Sequence, residues 1–554
     1  MTRTLPLLTL IFALVSAVPA GAQATQTASA ASDQSGNTSI AGVVVNAATG
    51  APVDGVDVRL FTPGEQGAQA GESLTDANGA FRFSGLPQGK YRLQASRRGY
   101  ITSGYQDHNG FSTAIVTGPQ QDTSHLRFAL TPFGVIDGTI SDDSGDPVSD
   151  AQVRLFRQDE AQGEGRILSA GQQMSDDRGT FEFPQLRPGS YFICVTAAPW
   201  YAFRPAPQMD SSGNPLPDDQ QPASALDVAY PVTFYPNATD SSGATPIPVR
   251  GGDRLQINFS LHAVPAVHIR LQLPVQANGG NAGIVTPQLT EDAFGIPLNL
   301  QIYPQPAFRR GQTTTSFEYG GVAPGHYEFR QGGSTVPLDA RSNVSTTAPP
   351  PAADVEVTGK VGMASGGALP AHVMIFARRV SGEPFVRTAG IQSDGSFTLH
   401  GVTPGTYEVS VRGGSAALVV SQMAASGGEI QGDRVTVGSD PVLLAATLAR
   451  GSATINGFVQ RSGQGVGGVM VELVPDDPSA TPDLIRRDQS DSDGSFTLRR
   501  VVAGNYRLVA IDNGWTLEWA KHDALSAYLS QGVRVRVGED EKLQLPSPVP
   551  VQER

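Results

Sequence analysis

The chain has 554 residues, too many for a single hydrophobic core, so several domains are expected. Its 63 Gly and 41 Pro are spread between apolar runs and read as turns, while 7% aromatics and many Val, Leu and Ile remain to fill cores, which excludes a wholly disordered chain. A formal charge of −13, with only four lysines (Lys90, Lys360, Lys521, Lys542) and no basic stripe, argues against a nucleic-acid partner.

The first 22 residues read as a signal peptide. Arg3 supplies the positive charge, "LPLLTLIFALVSAV" (5–18) the apolar stretch, and "AGA" (20–22) the small residues before a cut after Ala22. The apolar run is short for a membrane span, and polar "QATQTASAASDQSGN" follows it. No cysteine lies near the cut to carry a lipid, and no later stretch is long and apolar enough to span. The mature chain is therefore expected to be exported, to a periplasmic, outer-surface or secreted location, without a spanning segment. Residues 23–37 form a polar linker.

From residue 38 onward two phrases alternate. The opening phrase appears as "IAGVVVNAATGAPVDGVDVRLF" (40–61), "IDGTISDDSGDPVSDAQVRLF" (136–156), "VTGKVGMASGGALPAHVMIF" (357–376) and "INGFVQRSGQGVGGVMVELV" (455–474). Each reads as a short strand, a turn and an alternating strand. In "VDVRL", Val56, Val58 and Leu60 face one way and Asp57 and Arg59 the other. The closing phrase appears as "TDANGAFRFSGLPQGKYRL" (75–93), "SDDRGTFEFPQLRPGSYFI" (175–193), "SDGSFTLHGVTPGTYEV" (393–409) and "SDSDGSFTLRRVVAGNYRL" (490–508), with a weaker copy "TSFEYGGVAPGHYEF" at 315–329. It reads as a turn, a strand, a short connection and a second strand. What recurs is apolar surface, glycine and one Tyr: Phe81, Phe83, Gly89 and Tyr91 in the first copy, Phe496, Leu498, Gly504 and Tyr506 in the last. A catalytic repeat would hold polar side chains and let the apolar ones drift. Here the reverse holds, so the phrases build architecture. The Tyr ring is expected to close a core while its hydroxyl caps backbone.

These phrases divide the mature chain into domains at 38–131, 132–264 (with a Pro-rich insertion at 197–245), 265–350 (degenerate, without the Asp turn), 351–450 and 451–554. "TTAPPPAAD" (346–354) reads as a linker, and short linkers predict a semi-rigid rod. Near the end, "WTLEWAKHDALSAYLSQG" (515–532) has helical spacing.

The "G-x-V…G-x-P-V-x-x-A/V-x-V" opening and "D-x-x-G-x-F-x-F/L…L/V-x-x-G-x-Y" closing resemble the carboxypeptidase regulatory-like domain. The resemblance covers most of the mature chain. It implies an all-β fold: a tandem array of prealbumin-like (transthyretin-like, Ig-like) antiparallel β-sandwiches, here with a short C-terminal helix. It also implies a non-catalytic module. Related sandwiches occur in sugar-binding proteins, bacterial surface adhesins and ahead of outer-membrane receptor barrels. Some similar Cna-type sandwiches carry a Lys–Asn isopeptide bond. Lys360 lies near the first strand of the fourth domain, but Val43, Thr139 and Phe458 hold the matching places elsewhere, so repeated locking is not expected.

No catalytic, cofactor-binding or metal-ligating residue is assigned. Cys194 is the lone cysteine, so no internal disulfide is expected, and no His lies in its segment to make it a nucleophile. The eight histidines (108, 125, 262, 268, 326, 372, 400, 522) lack ligand spacing, and neither H-E-x-x-H nor G-x-S-x-G occurs. Gly463, Gly465 and Gly468 match G-x-G-x-x-G, but a strand follows where a dinucleotide loop needs a helix. The Asp turns at 142–146, 175–177 and 491–493 offer a calcium reading, but each supplies only two or three oxygens and no distal Glu sits at EF-hand spacing, so solvated β-turns are the favoured reading. Aromatics are the remaining ligand-contact candidates: Trp200, Tyr201 and Phe203 in the insertion, Trp515 and Trp519 beside the helix. Exposed rings stack on sugars or anchor protein interfaces; the plain alternative is that they cap a sandwich end. The reading is an exported, non-catalytic array in the bacterial envelope that binds a glycan or an envelope protein. The alternatives are a passive spacer and, last, an enzyme with a site in 197–245.

Overall fold

The computed structural model describes residues 38–554 apart from 64–66, 119–120, 160–164, positions within 204–223, 275–287, positions within 301–313, 332–333, 348–352, 381–384, 414–416 and 478–481. The expected leader (1–22) and linker (23–37) lie outside the described residues, as do parts of the insertion and of the 346–354 linker. Among the described residues five sandwich cores follow one another along the chain. Their buried residues fall within 40–130, 136–261, 267–340, 355–448 and 453–549.

Each core lies between two sheets, and the closing phrase explains how. Its two strands do not pair with each other. In the first sandwich Ala80–Leu86 pairs antiparallel with Thr38–Asn46, which also pairs parallel with Leu126–Leu130. Gly89–Ser96 instead pairs with Asp57–Phe61 in the opposite sheet. The same exchange of sheets occurs at Thr180–Leu186 and Gly189–Thr196, Thr314–Val322 and Gly325–Gln331, Ser396–Val402 and Gly405–Arg412, and Ser495–Val502 and Gly504–Ile511. Period-two alternation then aims the Phe and Leu of the first strand and the Tyr of the second into the same gap.

The crossing leaves a backbone carbonyl turned into the core, and the tyrosine satisfies it. Tyr91 donates to Pro87 O (2.9 Å), Tyr191 to Arg187 O (2.7 Å), Tyr407 to Thr403 O (2.7 Å) and Tyr506 to Val502 O (2.8 Å), with Tyr327 bonded to Ala323 O in the degenerate third sandwich. The acceptor is always four residues back. The turn ahead of the phrase needs glycine for two reasons. Gly179 and Gly494 have φ of +70° and +84°, and a Cβ would sit 2.3 Å from Ile140 O or 2.5 Å from Val459 O. The Asp turns cap themselves: Asp76 and Asp176 each accept two backbone N–H groups through Oδ1, as does Asp142. Lys360 is exposed on its strand.

Two features depart from the sequence-based picture. The C-terminal helix covers only His522–Leu529; Gly514–Thr516 forms a 3₁₀ turn, closed by Leu517 N–H to Gly514 O, and the chain reaches the helix through an extended N-cap at Lys521. The expected rod is also overturned. Strand Val442–Arg461 runs unbroken from the fourth sandwich into the fifth, pairing with Val355–Met363 at one end and Ser495–Val502 at the other. The first sandwich docks back on the fifth through contacts spanning roughly the whole array, such as Lys90 to Asp491. Linker length bounds reach, but complementary surfaces decide whether distant domains meet.

Replacing Tyr506 with Phe keeps the ring and strands Val502 O in the core. The expected cost is about 1–3 kcal/mol, read as faster amide exchange across Ser495–Ile511 with the other four sandwiches unchanged.

Candidate functional site

Two aromatic loci emerge. The first is on the insertion of the second sandwich. Trp200 is 84% exposed and Phe203 59%, while Tyr201 is half-buried. Trp200 and Tyr201 meet edge to face at 5.7 Å. Pro199 O accepts the Ala202 N–H, and Phe203 N–H bonds Leu226 O at 2.9 Å, so a third exposed apolar residue, Leu226, lies beside the loop. Rings on the surface with their backbone anchored make this loop a candidate contact face.

The second locus is the seam between the first and fifth sandwiches. Lys90 Nζ donates to Asp491 Oδ2 (2.6 Å) and to Ser495 Oγ (2.7 Å). Asp491 Oδ1 accepts the Ala114 N–H, Ser492 N–H bonds Ala114 O, and Val116 N–H bonds Ser492 Oγ, so the "DSD" turn continues the edge of strand Ile115–Thr117. Gln489 is fully enclosed: Nε2 donates to Gln106 O and Thr113 Oγ1, each at 2.7 Å, while Oε1 faces His108 Nδ1 at 3.0 Å. Because Oε1 only accepts, that contact calls for Nδ1–H on His108.

Trp515 lies in this seam, 5% exposed, stacked parallel on His108 at 5.3 Å and tilted against Phe111. Trp519 is half-buried, with the Arg487 guanidinium 3.7 Å from its ring centre and 5.2 Å from that of Phe111. The structure therefore separates the five candidate aromatics. Trp200, Tyr201 and Phe203 stay together on the surface, whereas Trp515 and Trp519 are used inside the molecule.

Sequence reasoning passed over His108, Phe111, Gln489 and Arg487. Each is unremarkable until its partner, nearly four hundred residues away, is known. One signal was available. In the strand Met470–Pro475 all but the last residue are buried, so both faces are covered, and a near-continuous apolar run announces that arrangement. Its inner face joins the fifth core; its outer face lies beneath Trp515, Leu525 and Leu529. Glu472 sits on that outer face, fully buried, with neither oxygen hydrogen-bonded, opposite Arg487 across the strand pair. Burial pushes its carboxyl up to about 8 against the opposing pull of Arg487, so the acid is protonated at neutral pH.

The second and third sandwiches are joined differently. His268 lies between Asp227 (2.7 Å from Nε2) and Glu318 (3.2 Å from Nδ1). Glu318, then Asp227, hold the imidazole up to about 9 despite its partial burial, so it is an imidazolium bridging the insertion to the third sandwich. The same two sandwiches also share an apolar cluster, in which Phe156, Cys194, Val232 and Phe234 pack with Ala293 and Leu298. Cys194 is wholly enclosed there, and burial raises its thiol pKa, which suppresses thiolate chemistry. Among the described residues no group of three His, Cys, Asp or Glu is placed to hold a metal ion.

Known proteins resemble parts of this chain. Residues 39–131, the first sandwich, match the family model of the carboxypeptidase regulatory-like domain. Residues 453–527 match the second β-sandwich domain of BOS complex subunit NOMO1-like proteins. Serine-aspartate repeat-containing protein F of Staphylococcus epidermidis is 27% identical over 207 residues, covering 34% of this chain and only 12% of that protein. Among solved structures, the shaft pilin SpaA of Lactobacillus rhamnosus GG aligns at 11% identity over 41% of this chain and 98% of its own, with a TM-score of 0.20. The minor pilin of Streptococcus agalactiae aligns at 15% identity over 41% and 96%, with a TM-score of 0.18.

Two measurements check this geometry. Asp491→Ala removes the acceptor of both Lys90 and the Ala114 amide and is expected to weaken docking by about 2 kcal/mol, seen as a larger radius of gyration by small-angle scattering; an unchanged radius would refute the seam. For Glu472, the unfolded carboxyl ionises near 4.5 and the folded one near 8. The native state binds the extra proton between those values, so stability falls as pH rises through that window, by about 1 kcal/mol per unit. Glu472→Gln should flatten that slope in denaturant titrations at pH 5, 6.5 and 8.

Proposed function

We propose that this chain is an exported, non-catalytic array of β-sandwiches in the bacterial envelope, presenting the Trp200–Phe203 face to a glycan or protein partner. One observation carries the reading. The recurring residues of the array are consumed in burial and backbone capping, whereas Trp200 and Phe203 stand in solvent on an anchored loop. The matched family is a regulatory-like rather than a catalytic module. Export rests on the leader-like segment 1–22. No helix among the described residues is long and apolar enough to cross a membrane.

The docking of the first sandwich on the fifth supports a scaffolding role as well, because it fixes where the insertion of the second sandwich sits. A glycan array together with surface-immobilised envelope proteins tests the proposal. Trp200→Ala combined with Phe203→Ala should lower binding at least tenfold while leaving thermal unfolding unchanged. Binding indifferent to both substitutions, or no binding at all, would favour the passive spacer; hydrolysis of peptide or glycan substrates would overturn the non-catalytic reading.

A further inference from the structure

A cleft of about 870 Å³ lies where the first, second and fifth sandwiches meet, apart from the Trp200 face. We propose that it binds an uncharged, polyhydroxylated ligand, a short run of neutral oligosaccharide, and that it is assembled only while the first sandwich is docked on the fifth. This goes beyond the reading above and does not depend on it.

The volume falls in the range of sites that enclose small ligands, and such sites favour domain junctions. The lining selects the chemistry. Two carboxylates, Asp107 and Asp159, and two guanidiniums, Arg157 and Arg187, are among the lining residues. Two minus two leaves no net charge, so the lining as a whole favours neither a net anion nor a net cation. An apolar ligand would strand these groups without water. Hydroxyls both donate and accept, and therefore suit carboxylates and guanidiniums in one site. Arg157 Nη2 is already bonded to Pro188 O at 3.2 Å, which fixes its guanidinium beside the 187–190 turn.

The fifth sandwich closes the cleft with Gly467, Gly468 and Trp515. Gly467 and Gly468 let the seam close around the cleft, since a Cβ on them would meet Asp491 O at 3.0 Å and Gln106 Oε1 at 3.3 Å. The indole beside them is held by Nε1–H to Gly468 O (3.3 Å) and by its stack on His108, so little order remains to be imposed on binding. The lining comes from turns and strand ends of three bodies, which suits a compact ligand better than an extended peptide seeking a strand edge. Because Trp515 and His108 belong to opposite sides of the seam, undocking dismantles the cleft. Gly165 N–H to Glu518 Oε1 (3.0 Å) ties the second sandwich to the same assembly.

The test is calorimetric titration of the mature full-length chain with maltohexaose, cellohexaose and chitohexaose, with hexagalacturonate and a Gly-Ser hexapeptide alongside. At least one neutral hexasaccharide should bind, and the other two probes should not compete. Asp107→Ala, a change at an exposed residue whose Oδ1 accepts the Gly110 N–H, should weaken binding at least tenfold, with unchanged thermal unfolding checking that the 107–110 turn keeps its fold. Lys90→Glu, which opens the seam, should abolish it, and Lys90→Glu with Asp491→Lys should restore at least half. Binding by none of the neutral probes, stronger binding of hexagalacturonate or the peptide, or full binding in Lys90→Glu would overturn the proposal. Loss in Trp200→Ala without loss in Asp107→Ala would also overturn it, while sparing the role proposed for the Trp200 face.

Discussion

Every sandwich depends on one crossing, in which the chain leaves one sheet and enters the other within a few residues. A polypeptide that does this inside a core must turn a carbonyl away from both ladders, and an unpaired buried carbonyl is costly. The tyrosine four residues later removes that cost with its hydroxyl while its ring fills the gap between sheets. The preceding glycine lets the turn pass against a neighbouring carbonyl where no Cβ fits. Tyr91, Tyr191, Tyr327, Tyr407 and Tyr506 all play this part.

Once the repeated residues are committed to that crossing, individuality has to come from elsewhere. The second sandwich gains an insertion whose rings stay outside. The fifth gains a covered outer face: Met470, Val474, Val509 and Ile511 pack under Trp515 and the short helix instead of meeting water. That cover places Trp515 where His108 can stack on it, so burial of a sheet's outer face and recognition of a distant sandwich are parts of one packing arrangement.

The contacts between sandwiches are more polar than the cores within them. The seam between the first and fifth rests on Lys90, Asp491 and an enclosed glutamine; that between the second and third adds an imidazolium between two carboxylates to its apolar cluster. Directional bonds of this kind fix orientation more than they add cohesion. A chain with thirteen excess negative charges also gains from placing cations such as Lys90 where they neutralise carboxylates across domain boundaries.

The sandwich fold, its repetition and the core-facing residues could be read from local pattern, because alternation, turn glycines and the Tyr recur at fixed spacing and each acts on neighbours close in sequence. The exposed insertion aromatics could also be named, since a Pro-rich stretch gives rings little to pack against. The helix came out shorter than its apolar spacing suggested, because Trp515 and Trp519 serve the seam and not a helical face. The return of the first sandwich to the fifth, the burial of Glu472 and the cleft between three bodies were decided only in the folded molecule. Lys90 and Asp491 are ordinary charged residues in their own segments; only the path of the intervening chain brings them together, and no short-range periodicity records that path.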